Sequence, residues 1–151
     1  MAARARSPSD ASATATRILL EANRGAAVVA IDPGSDLLLL DAVVRDTGPL
    51  DCAATTCSGQ PLGLGLVSLS GAHVAAGRFV VTGCPDAGLQ LAEGTMDLRY
   101  GEVSGNGIGR NVQIPGYDLA RLTTDVVFTD NAVEVDDGAR PQPDRVSGGA
   151  W

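Results

Sequence analysis

One short segment recurs along this chain, and its spacing constrains the fold more than any other feature. Leu19-Leu-Glu-Ala-Asn23, Val43-Val-Arg-Asp-Thr47, Val80-Val-Thr-Gly-Cys84, Glu102-Val-Ser-Gly-Asn106 and Val127-Phe-Thr-Asp-Asn131 align on their last residues. Those closing residues lie 24, 37, 22 and 25 positions apart. The long interval falls to 22 when residues 48–62 (GPLDCAATTCSGQPL) are set aside as an inserted loop, which their Gly, Pro, Ser and Cys content supports independently. Self-similarity at a nearly fixed period of 20–50 residues marks a stack of small units, none of which can bury its apolar face alone.

A second pattern interleaves with the first. Val29-Ala-Ile31 precedes Gly34, Val67-Ser-Leu69 precedes Gly71, Leu89-Gln-Leu91 precedes Gly94, Val112-Gln-Ile114 precedes Gly116, and Val133-Glu-Val135 precedes Gly138. Alternation of period two over so few residues predicts short strands. Leu37–Leu40, Val74–Ala76 and Met96–Leu98 predict a further strand before each closing segment, giving three short strands per repeat. Composition agrees: 19 glycines disfavour long helices, and an aromatic content of 3% calls for a core of stacked aliphatic side chains. The aligned ends, Asn23, Thr47, Cys84, Asn106 and Asn131, predict an inward structural ladder, because Asn tolerates the left-handed backbone of a sharp turn and its amide can bond the neighbouring unit.

On these residues, and above all on the VVRDT, VVTGC, EVSGN and VFTDN segments, residues 17–138 resemble the right-handed parallel β-helix (pectin-lyase-like) repeat of bacterial cell-surface and secreted proteins. The resemblance implies an all-β, short right-handed parallel β-helix of about five rungs, either whole or a fragment of a longer one. Residues 1–16 then read as a disordered arm or partial rung, and 139–151 as a flexible tail. The rival fold is an antiparallel β-sandwich, whose hairpin dipeptides occur only once each, as Asn106-Gly and Asp137-Gly.

The chain carries 11 basic and 18 acidic residues and a net charge of -7, which argues against nucleic acid and anionic membranes as partners. Apolar runs fall short of a membrane span, and the opening residues lack the apolar core of a signal peptide, so membrane insertion is not expected. An extracellular or cell-surface location is expected if the chain belongs to a longer exported protein.

Cys52 and Cys57 are spaced to close a small disulfide ring, with free thiols as the alternative and a metal pair, joined by His73, as the least favoured reading. Cys84, at a ladder position, reads as a buried small hydrophobe. Ser68 and Ser70 lack the glycines of a nucleophile elbow, Arg110 stands where a dinucleotide fingerprint needs Gly, and the aspartates miss the calcium-loop spacing. No metal or cofactor is expected. Alternation turns Asp36, His73 and Thr95 outward, as it does Leu38, Ala75 and Asp97, with Tyr117–Leu122 in the next repeat. Counted from Gly94 and Gly116, Arg99 and Arg121 stack in adjacent repeats. The candidate binding residues are therefore His73, Asp97, Arg99 and Arg121. The resemblance places the substrate groove of β-helix lyases on the equivalent face, but the acidic cluster such calcium binding needs is missing. The expected function is a non-catalytic structural or binding module of an exported or cell-surface protein, with polysaccharide or another solenoid segment as partner. The alternative is a polysaccharide-active lyase or hydrolase.

Overall fold

The computed structural model describes residues 10–50, 62–140 and 142 of the chain. Its elements, in order, are β1 (Ser12–Glu21), β2 (Gly25–Ile31), β3 (Asp36–Arg45), β4 (Gly63–Leu69), β5 (His73–Thr82), β6 (Ala87–Ala92), β7 (Thr95–Ser104), β8 (Ile108–Val112), the short helix α1 (Ala120–Thr123), β9 (Val126–Thr129) and β10 (Val133–Asp136). The odd-numbered strands form one sheet in the order β1-β3-β5-β7-β9, and the even-numbered strands form a second in the order β10-β8-β6-β4-β2. Every strand pairing is parallel. The chain thus alternates between two parallel sheets, each repeat adding one strand to each, and this all-β arrangement is compatible with a β-helix.

The register of the first sheet follows the recurring segments. Leu19 pairs with Val43, Val43 with Val80, Val80 with Glu102 and Glu102 with Val127. Their shared ending reflects backbone geometry, since Ala22, Asp46, Gly83, Gly105 and Asp130, each just before an aligned closing residue, all have positive φ.

Two expectations about the strands need correction. The separate third strand of each repeat does not exist: Leu37–Leu40 and Val43–Arg45 are arms of one ten-residue strand. A left-handed residue interrupts each long strand of this sheet, at Arg17, Asp41, Arg78 and Tyr100, with Asp125 at the corresponding place before β9. A single left-handed residue between extended neighbours turns the chain without breaking the ladder on either side. The predicted strand from Tyr117 to Leu122 is instead a turn leading into α1, so Arg121 is a helix residue.

The apolar-x-apolar triplets of the second sheet are not in register with one another. Val67 pairs with Gln90 rather than Leu89, and Ile108, not Val112, pairs with Val133. Alternation further predicts exposed outer positions there, yet β4, β6 and β8 are buried along their whole length. Their sequences, GLGLVSL and AGLQLA above all, read as the near-continuous apolar runs of a sheet covered on both faces.

The main core lies between the sheets, in columns that run across the repeats. Val44, Val81 and Val103 form one, and Leu39, Ala76 and Leu98 another, each fully or almost fully buried. Val28, Leu66 and Leu89 approach from the second sheet. Size alternates where bulk demands it: Gly101 pairs with Phe79, and a Cβ on Gly101 would stand 2.2 Å from the Phe79 ring.

The inserted loop is slightly shorter than its sequence suggests. Gly48 bridges to Arg24 and Gly63 pairs with Gly25, so the chain leaves the stack at Gly48 and returns at Gly63. Leu50 N–H donates to Leu62 O at 3.0 Å at the base of this excursion. The Cys52–Cys57 pairing expected within it lies outside the described residues. Deleting residues 49–62 should therefore leave a cooperatively unfolding protein, destabilised by about 1.5–3 kcal/mol for the lost burial of Leu62. Urea denaturation checks this; disappearance of the cooperative transition would show the excursion to be integral to the stack.

Candidate functional site

The outward residues at the start of β3, β5 and β7 meet side by side. Asp36 and His73 are register partners, while Asp97 lies two residues along from Thr95, the partner of His73. His73 Nδ1 lies 2.8 Å from Asp36 Oδ1, and its Nε2 2.9 Å from Asp97 Oδ2. Arg121 closes the row from α1, donating through Nε to Asp97 Oδ1 at 2.8 Å and through Nη2 to Asp97 Oδ2 at 2.6 Å. The row thus reads acid, imidazole, acid, guanidinium.

The helix that carries Arg121 is anchored from below. Leu122 is completely buried, and the Tyr117 hydroxyl accepts from Met96 N–H at 2.9 Å while donating to Met96 O at 2.8 Å. The Arg121 guanidinium also stands 5.6 Å from the Tyr117 ring centroid. Asp118 starts the helix by accepting from Ala120 N–H at 3.0 Å. These contacts let a four-residue helix hold a fork-shaped donor over a carboxylate, the geometry to which arginine is best suited.

Electrostatics follow from the pairing. The hydrogen bonds from Arg121 hold the Asp97 carboxyl down to about 2, against a smaller opposing effect of burial, and the Arg121 pKa rises in return. Burial alone would lower the His73 pKa, but hydrogen bonds to Asp36 and Asp97, reinforced by their charges, together raise it. The chemistry is restrictive. A neutral imidazole has one N–H and one lone pair, so only the imidazolium can donate to both carboxylates.

Three of the four candidate residues, His73, Asp97 and Arg121, are therefore directly bonded. Arg99 is exposed, two residues beyond Asp97 on β7, and shares with Asp97, Asp118 and Arg121 the lining of a shallow groove of about 200 Å³. Asp36 belongs to the row although the sequence-derived set omits it; its signal was its place opposite His73. A second polar cluster escaped sequence reading altogether. Asn111 donates to Asp136 Oδ2 at 2.9 Å and Gly138 O at 2.9 Å, and Arg140 reaches both Asp136 and Asp86.

The ladder residues fall into two groups. Asn106 Oδ1 accepts from Cys84 N–H at 2.9 Å, and Asn131 Oδ1 from Asn106 N–H at 3.1 Å. Their amide groups donate to Val81 O at 3.2 Å and Val103 O at 3.0 Å. Thr47 and Cys84 have no amide with which to repeat this pattern, and among the described residues the buried Asn23 Nδ2 has no hydrogen-bond partner. The Cys84 thiol is free, and burial pushes it up to about 11, which removes the thiolate a nucleophile needs.

Among the described residues no group of three or more His, Cys, Asp or Glu is placed to hold a metal ion, and no helix is long and apolar enough to cross a membrane. No protein-family model matches the chain, and no match is found among curated proteins or solved structures.

The raised His73 pKa has a sign that can be tested. Its contribution to stability is fully present below the unfolded-state value near 6.5 and is lost as pH rises through the higher folded-state value. His73→Gln should accordingly cost more stability at pH 5.5 than at pH 8.5, measured as the shift in urea midpoint. An equal or larger cost at the higher pH would contradict the imidazolium assignment.

Proposed function

We propose that the chain folds as a right-handed parallel β-helix and serves as a non-catalytic structural or binding module of an exported or cell-surface protein. The exported setting rests on the resemblance of its repeat. The observation that carries the non-catalytic reading is the mutual saturation of the polar row. Both nitrogens of His73 are taken by carboxylates, and the Asp97 carboxylate is taken by His73 and Arg121. A general base needs an available lone pair near its proton, and a general acid needs a pKa near the working pH. The imidazole has no free lone pair while it holds both carboxylates, and a carboxyl held down to about 2 is ionised and weakly basic near neutral pH.

Two further exposed ion pairs support the same reading, because they too join neighbouring repeats. Arg45 Nη2 lies 2.7 Å from Glu21 Oε1, joining β3 to β1, and Arg78 bonds Asp41 through both Nε and Nη2, joining β5 to β3. Such pairs lace successive repeats together, although solvent screening keeps the contribution of each exposed pair small. They suit a scaffold whose stability is a sum over neighbouring units.

The binding arm of the proposal concerns the groove beside Arg99. An arginine fork can hold a uronate carboxylate, but a shallow groove with no aromatic ring in its lining offers little further affinity for a sugar. Calorimetric titration with acidic and neutral oligosaccharides should give no turnover and at best millimolar affinity, weakened by Arg99→Ala for the acidic ligand only. Cleavage of an acidic polymer, abolished by Arg99→Ala or Arg121→Ala, would overturn the reading in favour of a polysaccharide-active enzyme.

A further inference from the structure

The two ends of the stack match one another. By register, β9 is the equivalent of the second half of β1: Ile18, Leu19, Leu20 and Glu21 continue through β3, β5 and β7 to Val126, Val127, Phe128 and Thr129. In the second sheet Val133 and Val135 of β10 continue to Ala26 and Val28 of β2. These are the outermost strands of both sheets, with one edge of each unpaired in the described structure. Leu19 and Val127, at the same register position on opposite ends, are 54% and 59% exposed, among the most exposed large apolar residues described.

Two polar features at these ends are incomplete in complementary ways. Asn106 and Asn131 each donate through Nδ2 to the carbonyl three residues before the preceding ladder residue, Val81 and Val103. Asn23 opens the ladder, and its buried Nδ2 has no acceptor among the described residues. The carbonyl at the equivalent place before Asn131 is that of Phe128, at the opposite end. The left-handed corner shows the second feature. Its residues run Arg17, Asp41, Arg78, Tyr100, Asp125, all with positive φ. Arg78 bonds Asp41, and Arg17 acts electrostatically on Asp41 from the other side. The stack therefore begins on a cation at this corner and ends on an anion.

We infer that the protein stacks head to tail on a second copy of itself, β9 and β10 of one copy pairing in parallel with β1 and β2 of the next. This inference rests on the β-helix reading above and names the partner of its ends. In the junction Asp125 faces Arg17 of the next copy, Val127 packs beside its Leu19, and Phe128 O accepts from its Asn23 Nδ2. The first half of β1 meets α1 rather than a strand, since α1 packs on the part of β7 that β9 leaves uncovered. Between that half of β1 and β2 lies a groove of about 400 Å³, lined by Ala13, Val29, Ile31 and Leu37 among others, in which the helix of the neighbouring copy seats. A heterologous contact of this kind does not close on itself, so the assembly is open-ended.

Charge reversal tests the junction without altering the core. Arg and Asp already occupy left-handed positions at this corner, so Arg17→Asp and Asp125→Arg are both compatible with the backbone. Sedimentation velocity on the full chain should show mass growing with concentration beyond the 15.3 kDa monomer. Each single variant should stay monomeric over the same range, since it sets like charges against each other. Mixing the two variants should restore growth, because every junction in an alternating stack then regains an opposite pair. A wild type that stays monomeric at several hundred micromolar overturns the inference, as does a mixture that fails to recover. Far-ultraviolet circular dichroism separates the two levels of the argument: a β-rich, cooperatively unfolding monomer sinks the assembly alone, whereas loss of β-structure in the wild type sinks the β-helix reading beneath it.

Discussion

Everything in this molecule depends on one repeat meeting the next in register, and the contact that fixes that register is the inward amide of Asn106. It is 3% exposed and bonds both neighbours: Oδ1 holds the Cys84 N–H, Nδ2 holds the Val81 carbonyl, and its own backbone N–H is held by Asn131. A buried amide is costly unless its bonds are made, and these bonds exist only when two repeats are aligned. A slip of one residue would leave the group unpaired and turn every aliphatic column inside out. The polar group thus selects the register, while Val44, Val81 and Val103 and their counterparts supply the burial that stabilises it.

The outer surface repeats the same logic with charges. Asp36, His73, Asp97 and Arg121 alternate in sign across successive repeats and end on a helix whose own position is set by Tyr117 and Leu122. Because each charge has its partner within the molecule, this face behaves as a seam between repeats. Chemistry at such a seam would require breaking pairs that the fold uses, which is why the row reads as scaffold despite containing an imidazole flanked by carboxylates.

The first sheet was legible in the sequence because its strands share corners. Residues such as Asp46, Gly83 and Gly105 sit at left-handed positions before each ladder residue, and that repeated requirement aligned the closing segments. The register of the second sheet was not legible from its apolar-x-apolar triplets, since they stand at slightly different places along their strands: Val67 stacks on Gln90 rather than Leu89, and Val112 on Leu91 rather than Leu89. Helix α1, at four residues, is too short to show a helical period, so Arg121 was assigned to a strand. It still reached Asp97, but through a turn that pattern reading cannot see. Asp36 could have been read, since the legible register of the first sheet already sets it opposite His73; what the sequence does not show is that the imidazole bonds a carboxylate on each side. The unmet Asn23 amide could not be foreseen either, because satisfaction of a buried donor is a property of the assembled ladder.

Native-state hydrogen exchange at the backbone amides of Cys84 and Asn106 tests the central claim most directly. If the Asn ladder locks the register, both amides exchange only through global unfolding, and Asn106→Ala accelerates exchange at Cys84 far more than at the edge strands β1 and β10. Exchange at Cys84 and Asn106 as fast as at those edges in the wild type would show that the ladder does not hold the stack, and would contradict the account.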